Sequence, residues 1–371
     1  MDHKNFCALP WVGLDVSSQG FFRPCCKYNG NMAETYTEYL NSEELKELKQ
    51  DFLDGKKPDK CVRCWQDEDV GIKSKRLLDK EYILDNYSIN FEKAKVLTVA
   101  FAFGSTCNLA CRVCSSSTSS RWRAEAQKMK KSLPEIPIYD HKKFYTNEQF
   151  LQDIHSFVDS VIHVDIYGGE PFLSGLDQHK DFLRALLPRA KEITIHYTTN
   201  CTIFPDEEFW QLWRQFKKID MQLSIDGIGT VFEFNRWPAV WNDCYKNIKL
   251  FQQKQKELTN IQLSISTVIS IFTVRYIPEL LEWCRTEQLP YPYLGFISKP
   301  EYYDITVLPN RVKLDVKEKL SQHKDLKFIV DRMMSNDNSH LLDTTEKYIK
   351  TLDQYRNQQF NIENFSIKLP R

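Results

Sequence analysis

The chain has no net charge: 50 Lys and Arg residues balance 50 Asp and Glu over 371 residues. That balance argues against a partner engaged electrostatically by the whole protein, such as bulk nucleic acid or an anionic membrane surface. Short basic runs, Lys73-Ser74-Lys75-Arg76 and Lys128-Met129-Lys130-Lys131, read first as solvated helix faces. No apolar run approaches the ~18 residues of a spanning helix, so no membrane segment is expected. The start, Met1-Asp2-His3-Lys4-Asn5, has no apolar signal core, and a mature cytoplasmic N-terminus is expected. Internal repeats and low-complexity tracts are also missing. Histidine is absent between Lys95 and Asp140, the stretch that holds the densest group of cysteines.

What is present is cysteine, 11 in all. Eight fall in two sets, Cys7/Cys25/Cys26/Cys61/Cys64 and Cys107/Cys111/Cys114. In an intracellular chain such clusters read as metal ligands rather than disulfides. Cys244 and Cys284 lie in helical patterns and are expected to be core thiols; Cys201 stands alone. The second set has the spacing C-x3-C-x2-C within Gly104-Ser105-Thr106-Cys107-Asn108-Leu109-Ala110-Cys111-Arg112-Val113-Cys114, just after a β-rich stretch. Three close thiolates can hold three irons of a [4Fe-4S] cluster, which usually takes four cysteines. The fourth iron is then open to an exogenous chelator. A structural zinc site is the plain alternative, but it wants four ligands in a closed set, typically with a second C-x2-C or histidines.

This spacing resembles the radical S-adenosylmethionine (radical SAM) superfamily. The resemblance implies a cluster whose open iron binds the amino and carboxylate groups of SAM. It implies reductive cleavage of SAM to methionine and a 5′-deoxyadenosyl radical. Other parts of the superfamily pattern follow in order. Tyr167-Gly168-Gly169-Glu170-Pro171 begins directly after an expected strand, and its glycines let backbone approach a ligand closely. The resemblance gives Gly168, Gly169 and Glu170 the amino group of SAM; a plain turn is the alternative. Tyr197-Thr198-Thr199-Asn200-Cys201 and Leu223-Ser224-Ile225-Asp226-Gly227 resemble strand-end segments lining the ribose and methionine of SAM. Asn200, Ser224 and Asp226 are the candidate contacts there, against ordinary turn chemistry. Val268, in Ser266-Thr267-Val268-Ile269, is a candidate for packing on adenine, with core packing equally open. Val113 departs from the pattern, which often has an aromatic residue before the last cluster cysteine. The insertion Lys128–Tyr145 departs too, and is read as a feature of substrate or partner. Arg236, in Phe232-Glu233-Phe234-Asn235-Arg236, could hold a carboxylate of SAM or substrate bidentately, or form a surface ion pair. Cys201 is a low-ranked candidate hydrogen-atom donor, since buried cysteines are commonly inert.

The first set reads Cys7-x17-Cys25-Cys26-x34-Cys61-x2-Cys64, with Pro10-Trp11, Gly20, Pro24 and Trp65 around it. It resembles the auxiliary iron–sulfur modules called twitch and SPASM domains, although those usually follow the SAM core. That implies a second [4Fe-4S] cluster. Five cysteines for four positions make Cys25 or Cys26 a spare, and structural zinc remains the competitor.

From residue 96 short apolar runs alternate with helical ones. Strands are expected at Val96–Phe103, His163–Tyr167, Glu192–Tyr197, Asp220–Ile225, Ile261–Ile269 and Tyr293–Ile297. Helices are expected near 115–131, 147–160, 178–189, 206–217, 238–257 and 277–287. Such β-then-α units imply a parallel sheet. Six are too few for a closed eight-stranded barrel, and a partial (β/α)6 barrel matches the radical SAM core. The expected organisation is an auxiliary-cluster module at 1–80, a connector at 81–95, the core at 96–300 and a helical C-terminal extension at 301–371. A further helix is expected at 42–53, with Asn41 as a cap.

The resemblance implies an oxidoreductase that abstracts hydrogen from a peptide or protein side chain, with the auxiliary cluster as electron acceptor and a flavodoxin or ferredoxin as electron donor. The same chemistry on a sugar, aminoglycoside or alcohol is the second reading. A non-catalytic iron–sulfur or zinc protein is the third, and Gly168-Gly169-Glu170 speaks against it because a sensor needs no SAM site.

Overall fold

The computed structural model describes residues 4–69, 71, 73–139, 147–297 and 299–370. The N-terminal expectation for Met1–His3, and the part of the insertion from 140 to 146, lie outside these. Eight strands form one mostly parallel sheet: β1 (Gly13–Val16), β2 (Phe22–Arg23), β3 (Thr98–Phe101), β4 (His163–Ile166), β5 (Thr194–Thr199), β6 (Lys218–Ser224), β7 (Ile261–Ile269) and β8 (Tyr293–Phe296). Their order is β2-β1-β3-β4-β5-β6-β7-β8. β1 pairs parallel with β3, β3 with β4, β4 with β5 and β7 with β8, while β2 returns antiparallel to β1. All six expected strands are present, within a few residues of their expected ends. β1 and β2 are additions from the N-terminal segment. Gly13-Leu14-Asp15-Val16 is too short to show a period, and Gly and Asp are poor strand formers.

Burial alternates along β4 to β7. A parallel sheet covered on both faces reads as continuous apolar sequence. Here one face of each strand is fully buried and the other carries half-exposed polar side chains. The register places Asp15, Ala100, Asp165 and His196 in one row.

The chain divides into two compact units. The first comprises Met1–Ser105, His141–Tyr197 and Pro205–Ile219. Its helix Glu43–Leu53 is capped by Ser42, whose hydroxyl accepts from Leu45 N–H; Asn41 instead ends the preceding helix, Tyr36–Asn41. Ser has the shorter side chain and sits in extended backbone, the geometry an N-cap needs. A buried aromatic cluster of Phe172, Tyr197, Phe209 and Trp213 surrounds His179. Trp213 Nε1 donates to the Tyr197 hydroxyl at 3.0 Å, and that hydroxyl lies 2.8 Å from His179 Nε2. His179 Nδ1 lies 3.3 Å from the Pro171 carbonyl, which makes it the protonated nitrogen of a neutral ring.

Burial pushes His179 down to about 3 from an ordinary value of 6.5. The unfolded chain therefore takes up a proton below 6.5 that the folded chain refuses. The stability is fully present above pH 6.5 and falls as the pH drops toward 3, by about 1.4 kcal/mol per unit. Between pH 6.5 and 5 the wild type is expected to lose about 2 kcal/mol more than His179→Gln, read from urea unfolding. Equal pH slopes for the two proteins would remove His179 as the cause.

The second unit comprises Thr106–Asp140, Thr198–Phe204 and Asp220–Arg371. Its core joins Ala110, Trp122, Ala126 and Met129 to Val312, Val316, Ile329, Met333, Tyr348, Leu352 and Phe360. The C-terminal helices Asn310–Leu320, Lys327–Ser335 and Leu342–Arg356, and the hairpin β9 (Gln359–Asn361) and β10 (Ser366–Lys368), are therefore part of this core. Leu133 and Ile136 of the insertion are buried in it as well. Cys244 and Cys284 are core thiols, 1% and 2% exposed. Among the described residues no helix is long and apolar enough to cross a membrane.

Candidate functional site

The loop Thr106–Cys114 has no regular secondary structure and is fixed through its backbone. Ala110 N–H donates to the Trp237 carbonyl at 2.7 Å and Arg112 N–H to the Asn235 carbonyl at 2.8 Å. The Leu109 carbonyl accepts from Ser119 Oγ at 2.5 Å, and the Cys111 carbonyl from Trp122 Nε1 at 2.8 Å. Ser119 also caps the helix Ser120–Met129, so one side chain ties the loop to the helix that follows it.

The three cysteines are each half-buried as residues. Cys107 Sγ accepts from Leu109 N–H at 3.4 Å and from Asn200 Nδ2 at 3.7 Å. Cys114 Sγ lies 3.0 Å from Thr118 Oγ1. Burial pushes the Cys111 thiol far above its ordinary range; Arg236 opposes this, and the neighbouring Cys114 and Cys107 add to it. The Cys111 sulfur thus senses the other two, and as a bare thiol it keeps its proton. A bound metal replaces that proton and relieves the mutual repulsion. Donors aimed at sulfur suit thiolate ligands, because such hydrogen bonds orient ligands and tune the metal. Among the described residues no three His, Cys, Asp or Glu side chains converge as tightly as a single ion requires.

Around the loop the second unit gathers three of the strand-end candidates. Asn200 Nδ2 lies 3.2 Å from Asn108 Oδ1, and Asn108 donates to Thr202 Oγ1 at 2.8 Å. Asp226 accepts from Val268 N–H at 2.9 Å and pairs with Arg236 at 2.9 Å. Both are nearly inaccessible, so Arg236 forms an internal ion pair, not a surface one. Burial lowers the Arg236 guanidinium, but Asp226 and then Cys111 outweigh it and hold it above its ordinary value. Arg236 Nε is buried without an acceptor among the described residues. Ser224 ends β6 and is half-buried; Val268 is half-buried against the core. Cys201 is fully buried, with φ 65°, its Sγ 3.8 Å from the Thr199 carbonyl.

In the first unit, Gly168 and Gly169 have φ 77° and 52°. A Cβ on Gly168 would lie 2.5 Å from Ala102 Cβ, so only glycine fits. Glu170 is 0% exposed, and its carbonyl accepts from Leu173 and Ser174 N–H at 2.9 Å each. Its Oε1 accepts from Phe172 N–H at 3.4 Å. With His179 on the Pro171 carbonyl, this segment is a built turn, not a mobile one. Tyr167 donates to Asp15 Oδ2 at 2.7 Å, and Asp15 pairs with Arg23 at 2.5 Å.

Also in the first unit, Cys7, Cys25, Cys61 and Cys64 line one pocket with Leu9, Tyr28 and Phe52. Cys26 is not among its lining; its surroundings are Lys75, Asp15, Asp165 and Arg23. Burial, then Cys25 and Cys64, push Cys61 up to about 12. Burial also raises Cys7 and Cys25. Arg76 holds the set together: it donates to the Phe6 carbonyl at 2.8 Å and lies 4.6 Å above the Trp65 ring. Trp65 Nε1 donates to the Pro58 carbonyl at 3.0 Å.

Sequence reasoning missed Asn108, Thr202, Arg76, and the buried partners of Arg112 described below. Their polar side chains meet only through the fold, and nothing local marks them.

No family model matches the chain, and no curated protein matches it. Solved structures do: 33 chains match. One is native anSMEcpe with bound AdoMet, 16% identical over 65% of this chain and 62% of that one, with a TM-score of 0.44. Another is SuiB of Streptococcus suis bound to S-adenosylmethionine, 18% identical over 77% and 60%, TM-score 0.40. SuiB bound to its precursor peptide SuiA matches at 17% over 71% and 60%, TM-score 0.40. The match thus spans less than two thirds of the length of each of these chains. At these values the likeness is one of coarse fold.

Proposed function

We propose that the chain is a radical SAM enzyme acting on a peptide or protein side chain. The observation that carries this reading is the loop at Cys107, Cys111 and Cys114. It offers three thiols and no fourth, with N–H donors on the Cys107 sulfur and a hydroxyl beside that of Cys114. Three-cysteine ligation fits a [4Fe-4S] cluster with one open iron. When bound, the reduced cluster together with SAM supplies a 5′-deoxyadenosyl radical that takes a hydrogen atom from substrate.

The chain's own residues do the rest. Gly168 and Gly169 keep backbone free of Cβ atoms, and the buried Glu170 is the candidate acceptor for the amino group of SAM. Arg236 carries an N–H without an acceptor among the described residues and is the candidate for its carboxylate. Asp226 holds Arg236 in place and fixes β7 through Val268 N–H. Asn200 and Ser224 are candidates for the ribose hydroxyls, and Val268 for the adenine. In the first unit, Cys7, Cys25, Cys61 and Cys64 are the candidate ligands of an auxiliary [4Fe-4S] cluster, with Cys26 the spare. The polar face of a mostly parallel sheet supports a partial barrel. A flavodoxin or ferredoxin is the proposed electron donor.

Anaerobic reconstitution tests the reading. Reduced with dithionite, the loaded protein is expected to convert SAM to 5′-deoxyadenosine slowly without substrate. A protein that loads iron and sulfide but leaves SAM intact overturns it. Glu170→Ala is expected to raise the Kd for SAM about tenfold or more, the loss of one charge-assisted hydrogen bond, with iron content unchanged. Loss of iron in that variant would make Glu170 a structural residue.

A further inference from the structure

Between Cys111 and Cys114 stands Arg112, a fully buried arginine in a loop that needs to hold only cysteines. Its guanidinium lies 3.7 Å above the Phe234 ring. Its Nη2 pairs with Asp353 and donates to Gln358 Oε1 at 2.9 Å. One turn beyond Asp353 on the same helix, Arg356 donates to the Ala110 carbonyl at 2.7 Å and to Glu125 Oε2 at 2.6 Å. The helix Leu342–Arg356 therefore grips the loop twice, at the residue before Cys111 and at the residue after it. Asp353 Oδ2 also accepts from Phe360 N–H at 2.7 Å, which fixes the far side of the grip.

This arrangement is costly as a means of stabilising a fold. Arg112, Arg356, Glu125 and Asp353 are 0%, 2%, 5% and 7% exposed. Burying two ion pairs is often no more stable than apolar residues of the same volume. Each arginine also leaves one Nη1 buried without an acceptor among the described residues. What the network does provide is register, by bonds of fixed direction to an irregular segment.

We propose that Arg112 and Arg356 are positioning residues that hold Cys111 between two fixed points, so that the C-terminal extension is part of the cluster-binding machinery. This rests on the reading of Cys107, Cys111 and Cys114 as cluster ligands. The extension then acts as an outer shell for the ligand loop, and such shells commonly set metal affinity by ten- to a hundred-fold.

The test replaces the second pair without stranding a charge: Glu125→Leu with Arg356→Met in the full chain, reconstituted anaerobically. Iron release to a chelator is followed, with the EPR spectrum of the reduced cluster and the thermal midpoint. The expected result is release about tenfold faster and an altered EPR line shape, with the midpoint close to wild type. Arg356→Lys, which keeps the charge but not the fork, is expected to keep the midpoint and still release iron faster than wild type. Unchanged release and spectrum in the double variant overturn the proposal. So does faster release that merely follows a collapsed midpoint in both variants. Failure of the underlying reading looks different: the variant with Cys107, Cys111 and Cys114 replaced would then hold as much iron as wild type.

Discussion

Replacing Cys107, Cys111 and Cys114 together with alanine is expected to abolish 5′-deoxyadenosine formation, leaving only the background of a cluster-free control. The loop has no other ligand to substitute. The polar groups that already face sulfur, the Thr118 hydroxyl and the Asn200 amide, come from outside the loop. Hard oxygen ligands hold iron–sulfur clusters poorly beside thiolates. Iron should fall by about four per chain, one [4Fe-4S] cluster. The fold is expected to survive, because the three cysteines are each only half-buried as residues and the loop is held by its backbone and by Arg112 and Arg356. Undiminished SAM cleavage in the triple variant would rule out this assignment.

The local parts of the site were legible in the sequence. C-x3-C-x2-C and Gly-Gly-Glu-Pro each lie within one turn or loop, so spacing alone brings them together. The six strands from 96 onward were legible from their alternation and from the helical runs between them. β1 was not, because four residues holding a glycine and an aspartate carry no period. The cross-links were not legible either. Asn200 meets Cys107 across 93 residues, and Arg112 meets Asp353 across 241. No local preference encodes such a pairing, and only the packed core decides it. Arg236 shows the limit well: an arginine after a strand end reads equally as a ligand contact or a surface pair, and its partner turned out to be another candidate, Asp226. The adjacent pair Cys25-Cys26 could not be separated by spacing. The structure places Cys25 with Cys7, Cys61 and Cys64 in the lining of one pocket, and Cys26 outside that lining.

Cys61→Ala together with Cys64→Ala is expected to lower iron from about eight to about four per chain while leaving SAM cleavage detectable. Four thiols line the pocket, and a closed shell needs all of them. The bare thiols cannot ionise there without help, since burial and mutual repulsion push Cys61 up to about 12 and raise Cys7 and Cys25 as well. A metal or cluster bound there has to take the place of those protons. The consequence for turnover follows from electron balance. Removal of a hydrogen atom leaves a substrate radical, and a net two-electron oxidation needs an acceptor for the second electron. With the acceptor's ligands gone, 5′-deoxyadenosine should still form while oxidised product does not. Cys26→Ala should keep all eight irons, because Cys26 does not line the pocket of the other four. Iron analysis of the wild type decides between the two metals for this set. About eight irons supports the auxiliary cluster, whereas about four irons with one zinc makes the N-terminal cysteines a structural zinc site.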